Sequence, residues 1–317
     1  MIGDPVDVLV IGAGLRGLAA GLRVLREQPD ERLAVVEKAP QPGGNTRTQR
    51  SNGFLCELGA YGFARADVEP MRALLRQAPA VVEALPSAGT GLVFLGDRLE
   101  PVAVDPVPVS FRTGAEELVQ ACRRELGPRL HLGRAATHIE PGREGFVVTL
   151  GGEVPTPIAA RRIVLALPVA EACHLLERFD HALAAAAGRL QLEPRGFAFF
   201  GGSTNEAPEL RGYGVVPGDH VDTPVAEVIY CTEVFPGRAL PGRFLVRCEL
   251  VGAALARDDA AALATAEAEL RRWTGVSAHF GFTKLHRFTV EVQDGAFVEC
   301  RARVQQFAAR LPGLSFA

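Results

Sequence analysis

The chain has 317 residues, 48% of them hydrophobic and only 7% aromatic, and carries a net charge of −3 at pH 7. Its basic residues are dispersed, which excludes the concentrated positive footprint and the stacking surface of a nucleic-acid binder. Six widely spaced cysteines with no CxxC pair exclude a disulfide scaffold and a thiolate metal site, and read as buried thiols of a reducing compartment.

The N-terminus carries the first elements. Met1-Ile2-Gly3-Asp4 lacks the basic region of a leader, and Asp7, Arg16 and Arg23 interrupt the apolar run from Val6 to Leu25. A cytoplasmic protein without membrane association is expected, and the sequence leaves a homodimer open. Residues 6–11 and 33–37 read as parallel strands around a helix from Leu15 to Gln28, ended by Pro29-Asp30. The glycines Gly12, Gly14 and Gly17 fall between the first strand and that helix. Gly12 serves a sharp turn, Gly14 leaves room for a pyrophosphate against the backbone, and Gly17 lets helix and sheet approach. The helix start aims its free N–H groups at the phosphates. Glu37, twenty residues beyond Gly17, ends the second strand, where a carboxylate accepts ribose hydroxyls and repels a 2′-phosphate. The doublet Gly43-Gly44 after this acid points to FAD rather than NAD. Arg16 and Lys38 read most simply as solvated charges, though Arg16 is placed to assist the phosphates.

Downstream, Met71 to Leu85 has helical spacing with a kink or break at Pro79. Thr113 to Glu125 reads as a helix with Thr113 as N-cap, Glu116 completing a capping box, and Leu118, Val119, Cys122 and Leu126 on one face. Residues 130–132, 146–150 and 163–167 read as strands of a small meander. From Ala170 a helical stretch runs to Ala187. Alternating runs at 196–200, 225–230 and 243–250 then predict a mostly antiparallel sheet. Asp258 caps an alanine-rich helix through Trp273, ended by Gly275.

Further matches carry a resemblance. The stretch Glu37 to Thr48, then Gly53-Phe54-Leu55-Cys56-Glu57-Leu58-Gly59-Ala60, resembles the flavin-dependent amine oxidase superfamily, most closely its protoporphyrinogen (or coproporphyrinogen) oxidase branch. Phe111 to Leu118, Ile163 to Pro168, Gly212 to Pro217, Phe235-Pro236-Gly237-Arg238 and Leu311-Pro312-Gly313-Leu314 match in order along that family's pattern. The resemblance implies an α/β fold: a Rossmann-like FAD-binding domain (1–65, 111–172 and 283–317) with an inserted α+β substrate domain (66–110 and 173–282). It implies hydride removal from a saturated carbon to the flavin, dioxygen as acceptor, and a small-molecule substrate, a tetrapyrrole or an amine. Gly43, Gly44, Arg47 and Thr48 would lie along the pyrophosphate and ribityl chain, Gly59 and Ala60 beside the isoalloxazine, and Ala136 and Thr137 near the adenine. The full cofactor set is then Gly12, Ala13, Gly14, Gly17, Leu18, Glu37, Lys38 and these eight.

Three departures accompany the resemblance. Only Val102 to Val109 stands where the family has a long helical insertion. The family's aromatic C-terminal segment reads here as Leu285, Val290, Val292 and Gly295-Ala296. The sequence stops at Ser315-Phe316-Ala317, where a final flavin turn would follow. Competing readings are another amine oxidase or carotenoid-desaturase relative, a non-catalytic nucleotide-binding remnant, and an NAD-dependent dehydrogenase, which Gly43-Gly44 disfavours. No residue pattern names a catalytic group. Lys284 and His286 lie where the chain returns to the flavin domain; Arg238 could pair with a substrate carboxylate or brace a turn. Cys173-His174 reads as core rather than as a metal-ligand pair, and no metal is expected.

Overall fold

Val8, Leu9, Val10 and Ile11 are each at most 2% exposed, as a parallel strand covered on both faces requires. They belong to β1 (Val6–Ile11), at the centre of a seven-stranded sheet in the computed structural model, which describes residues 4–152 and 154–317. Helix α1 (Leu15–Glu27) crosses to β2 (Leu33–Glu37), which pairs parallel to β1. On the other side of β1 lies the strand Thr156–Leu165, also parallel. Its first half continues an antiparallel meander through Gly145–Leu150 and Ala136–Gly142. Its second half pairs with Leu314–Phe316, and Leu130–Leu132 closes the far edge beside β2. This is the Rossmann-like sheet expected from the sequence.

A second seven-stranded sheet contains Arg243–Val251 flanked by Val225–Tyr230 and Leu192–Ser203, each antiparallel to it, with Phe282–Glu291 at one edge and Leu99–Ala103 at the other. One face, with Ala198, Phe200, Val246 and Cys248, buries against Ala262, Ala266, Leu270 and Trp273 of the helix Asp259–Thr274. Asp258 accepts the Ala261 amide at 2.8 Å, and Gly275 ends the helix in the left-handed region, φ 71°. Asp258→Ala is expected to remove about 1 kcal/mol, read as a fall of a few degrees in melting temperature.

The sheets divide the chain differently from the predicted bounds. Residues 282–291 belong to the second sheet, whereas the helices Val169–Leu176 and His181–Ala187 pack on the first. Helix Arg65–Ala73 also joins the first core, through Val68 and Met71. Periodicity alone did not reveal which core each apolar face would meet.

Three local expectations are corrected as well. The helix ends at Ala73 and does not resume after Pro79: Val81 and Val82, read on a helical face, form a strand because Phe111 and Ser110 offer them backbone partners. Thr113 is not the N-cap. Gly114, at φ 103°, turns the chain first, the helix Glu116–Leu126 starts after Ala115, and Glu117 accepts from the Thr113 amide and hydroxyl, both at 2.7 Å. The stretch from Ala170 to Ala187 is two helices, the second capped by Asp180. Met1 to Gly3, read as lacking a leader, lie outside the described residues. Among the described residues, no helix is long and apolar enough to cross a membrane.

All six cysteines are free and buried, and burial pushes the Cys56 and Cys122 thiols up to about 12, so they stay protonated and unreactive at neutral pH. No cluster of metal-ligating side chains exists among the described residues.

Candidate functional site

Parallel strands β1, β2 and Thr156–Leu165 end at one side of the first sheet, and the loops that follow them frame a cleft of about 860 Å³. A crevice at the carboxyl ends of parallel strands is where this class of sheet takes its ligands. Three glycines divide the work of building it. A Cβ on Gly12 would lie 2.4 Å from the Ala166 carbonyl oxygen, and one on Gly17 only 1.9 Å from that of Gly12. Both positions are therefore closed by backbone. Gly14 differs: nothing lies within 4 Å of the Cβ it lacks, because that space is the cleft itself.

Gly14 is also the N-cap of α1 and makes no side-chain cap hydrogen bond; the first helical bond runs from the Leu18 amide to Gly14 at 2.9 Å. The preceding amides and the positive end of the helix dipole thus face the cleft, a ready anion site. The Gly43 amide donates to Ala13 O at 2.7 Å, which holds the Gly43-Gly44 loop alongside Gly14.

Glu37 stands at the end of β2, against the turn that carries Gly14. One carboxylate oxygen accepts the Ala13 amide at 2.7 Å and the other the Ala39 amide at 2.9 Å. The chain's own backbone therefore orients this carboxylate, and its remaining lone pairs are available to hydroxyl donors.

Of the predicted cofactor residues, Gly12, Gly14, Glu37, Lys38, Gly43, Gly44, Ala136 and Thr137 line this one cleft. Ala13, Gly17 and Leu18 sit behind it, with Ala13 and Leu18 fully buried in the core. Arg47, Thr48, Gly59 and Ala60 do not line it. The Thr48 hydroxyl donates to Glu57 at 2.6 Å and accepts the Glu116 amide at 3.1 Å, so it braces the hairpin base. Gly59 packs where a Cβ would meet Asn45 O at 1.6 Å, and its carbonyl accepts from Arg247 at 2.8 Å.

Several lining residues escaped the sequence reading. Leu167 and Pro168 follow the third strand, and Glu171, His174 and Leu175 come from the next helix. Their i, i+3, i+4 spacing marks one helix face, but only packing shows that this face meets the cleft. Cys173, on the opposite side, is buried against Cys300 with sulfurs 3.4 Å apart, as its core reading expects, whereas His174, read as core with it, is corrected: it is exposed at the cleft. Lys38 is not merely solvated: it pairs with Glu171 at 2.7 Å. Arg16 lines the cleft and donates to the Ala317 carbonyl at 2.8 Å.

Arg238 resolves in favour of a structural brace. It is fully buried, donating to Phe111 O at 3.3 Å and to Ser110 Oγ at 2.7 Å, with Glu57 at 3.8 Å.

Fold and cleft together define a dinucleotide-binding oxidoreductase architecture. Residues 10–78 match the NAD(P)-binding Rossmann-like domain family, and residues 87–317 match the flavin containing amine oxidoreductase family. The chain belongs to the flavin-containing amine oxidoreductase family, as its sequence motifs led us to expect.

Among solved structures, a protein of Exiguobacterium sp. 255-15 provisionally assigned as a protoporphyrinogen oxidase superposes with a TM-score of 0.81 at 14% identity, over 100% of this chain and 94% of that one. Cyclohexylamine oxidase from Brevibacterium oxydans IH-35A gives a TM-score of 0.75 at 13% identity, over 99% and 93%. Among curated relatives, coproporphyrinogen III oxidase of Staphylococcus aureus is 30% identical over 57 residues, 18% of this chain. Phytoene dehydrogenase of Streptomyces griseus is 42% identical over 65 residues, 20% of this chain. Either alignment spans only 12% of the relative.

Proposed function

We propose that the cleft binds FAD and that the protein oxidises a small molecule by hydride transfer from a saturated carbon, with a porphyrinogen-type substrate favoured by the branch its motifs resemble. One observation carries the cofactor reading: the space a Gly14 side chain would fill is empty, and it lies between an uncapped helix terminus and the Glu37 carboxylate. A diphosphate fits the first and ribose hydroxyls fit the second.

When bound, the flavin supplies the hydride acceptor, and the protein's part is orientation and electrostatics. The amides at the start of α1 offset diphosphate charge. Glu37 selects an unphosphorylated ribose. Ala136 and Thr137, which line the same cleft, offer backbone groups to the adenine.

Glu37→Gln keeps an acceptor for one of the two amides but removes the charge, and is expected to weaken FAD by about tenfold in a flavin-fluorescence titration. The direct test is the absorbance spectrum of the purified protein, before and after adding FAD, followed by anaerobic mixing with a reduced tetrapyrrole or an amine. Bound flavin bleached by the tetrapyrrole supports the reading. A protein that neither carries nor takes up FAD rules it out, and bleaching by amines alone rules out the porphyrinogen branch.

A further inference from the structure

One side-chain pair joins opposite sides of the cleft. Lys38 directly follows β2, whereas Glu171 belongs to the helix Val169–Leu176, which follows the strand Thr156–Leu165. These two strands flank β1 in the sheet. Lys38 Nζ donates to Glu171 Oε1 at 2.7 Å, so the pair reaches across the carboxyl end of β1, where the turn from Gly12 to Gly14 lies. Both residues line the cleft.

The backbone is fixed at each end of this bridge. On one side, the Glu37 and Ala39 carbonyls, before and after Lys38, accept the Arg134 and Gly133 amides at 2.8 and 3.0 Å. On the other, the Val169 and Ala170 amides donate to the Glu291 carboxylate at 3.3 and 2.9 Å. Glu291 ends the edge strand of the second sheet and so ties the helix to that sheet, while Cys173 holds the helix in the first core. The movable parts are the two side chains. They are 60% and 37% exposed, and an ion pair so open to water is held by little free energy and breaks readily. A strong buried pair would seal the cleft; a weak one can open and close it.

We propose that Lys38 and Glu171 form a latch over the cofactor cleft: the closed pair retains an adenine dinucleotide and must open to admit or release one. The inference rests on the dinucleotide reading of the cleft and adds the control of its exchange. Lysine suits the part, because its ammonium is a single point charge that leaves a carboxylate more easily than the two-pronged guanidinium of arginine.

The test is the rate of FAD uptake and release, followed by stopped-flow flavin fluorescence, in variants whose folding is verified by circular dichroism. Glu171→Gln and Lys38→Met are each expected to raise both rates by about threefold and to leave Kd within about twofold. The double variant should match either single one, because the pair can be lost only once. Lys38→Arg keeps the pair and should hold both rates at or below those of the unaltered protein. Charge without a latch predicts other signs: loss of Glu171 would slow release of a diphosphate, and loss of Lys38 would slow its capture. Those signs, unchanged rates, or effects that multiply in the double variant overturn the proposal. A second readout needs no cofactor. Lys38 and Lys284 are the only lysines in the chain, so acylation by an N-hydroxysuccinimide ester, read by mass spectrometry, compares them directly. Glu171→Gln should raise the Lys38 rate about threefold relative to Lys284, which is bonded elsewhere, to Gln49. If the protein takes up no FAD, the cofactor reading fails, and the acylation then decides the pair by itself, an unchanged Lys38 rate overturning it.

Discussion

Gly14→Val is expected to leave the protein folded and to cost at least about a hundredfold in FAD affinity, whereas Gly17→Val is expected to prevent folding. Gly14 sits at φ −66° and ψ 175°, a backbone conformation open to any residue, and a Cβ there meets no protein atom within 4 Å. The valine methyls therefore project into the cleft, where they keep a diphosphate from the amides of α1. Valine is a poor N-cap, so a stability loss of about 1 kcal/mol accompanies the change. At Gly17 the added Cβ would stand 1.9 Å from Gly12 O, part of the turn that joins β1 to α1. Relief requires moving the helix off the sheet, a disruption of more than about 4 kcal/mol. Urea denaturation and flavin titration of the two variants separate the roles. Full flavin binding by Gly14→Val would remove the diphosphate from this cleft.

The second large effect lies in the buried pair beneath the hairpin. Glu57 and Arg238 are 1% and 0% exposed, and their nearest charged atoms are 3.8 Å apart. Glu57 also accepts the Ala115 amide at 2.9 Å and the Thr48 hydroxyl. Arg238 ties Phe111 and Ser110 to the loop after Val234, and its Nε has no partner among the described residues. Arg238→Met strands the carboxylate and is expected to cost about 3–5 kcal/mol at neutral pH, measured by chemical denaturation.

The pH dependence carries a sign. Burial already raises the Glu57 pKa, against the lowering effects of Thr48 and Arg238. A folded-state pKa above the unfolded one means that stability is greatest below the unfolded value and falls as pH rises toward the folded value. Removing Arg238 raises the folded pKa further and widens that window upward. The variant should therefore lose least stability in mild acid and most at neutral pH. A loss that is the same at both would mean that Glu57 is not the group left unpaired.

Local rules settled much of what the chain alone could reveal. The apolar run before Gly12, the glycine spacing and the acid ending β2 are short-range features, and the α/β dinucleotide cleft follows from them because strand, turn and helix are set within some thirty residues. Asp258 and Gly275 bound their helix for the same local reason. The apolar runs of the second sheet were legible because its central strands are buried on both faces, Ala198 and Phe200 against a helix and Phe197 and Phe199 in a second apolar cluster.

What remained hidden depends on groups far apart in sequence. Glu171 and His174 reach the cleft only because their helix packs across the strand ends. Thr48, read as a cofactor contact, is instead taken by Glu57 and Glu116, the latter 68 residues away. Lys284 meets Gln49 across 235 residues, and Arg238 meets Ser110 across 128. Residue type and local spacing specify what a segment can form. Which polar groups find each other is decided when two sheets and their connections come together, since only then does burial compel every donor, acceptor and charge to take a partner or a ligand.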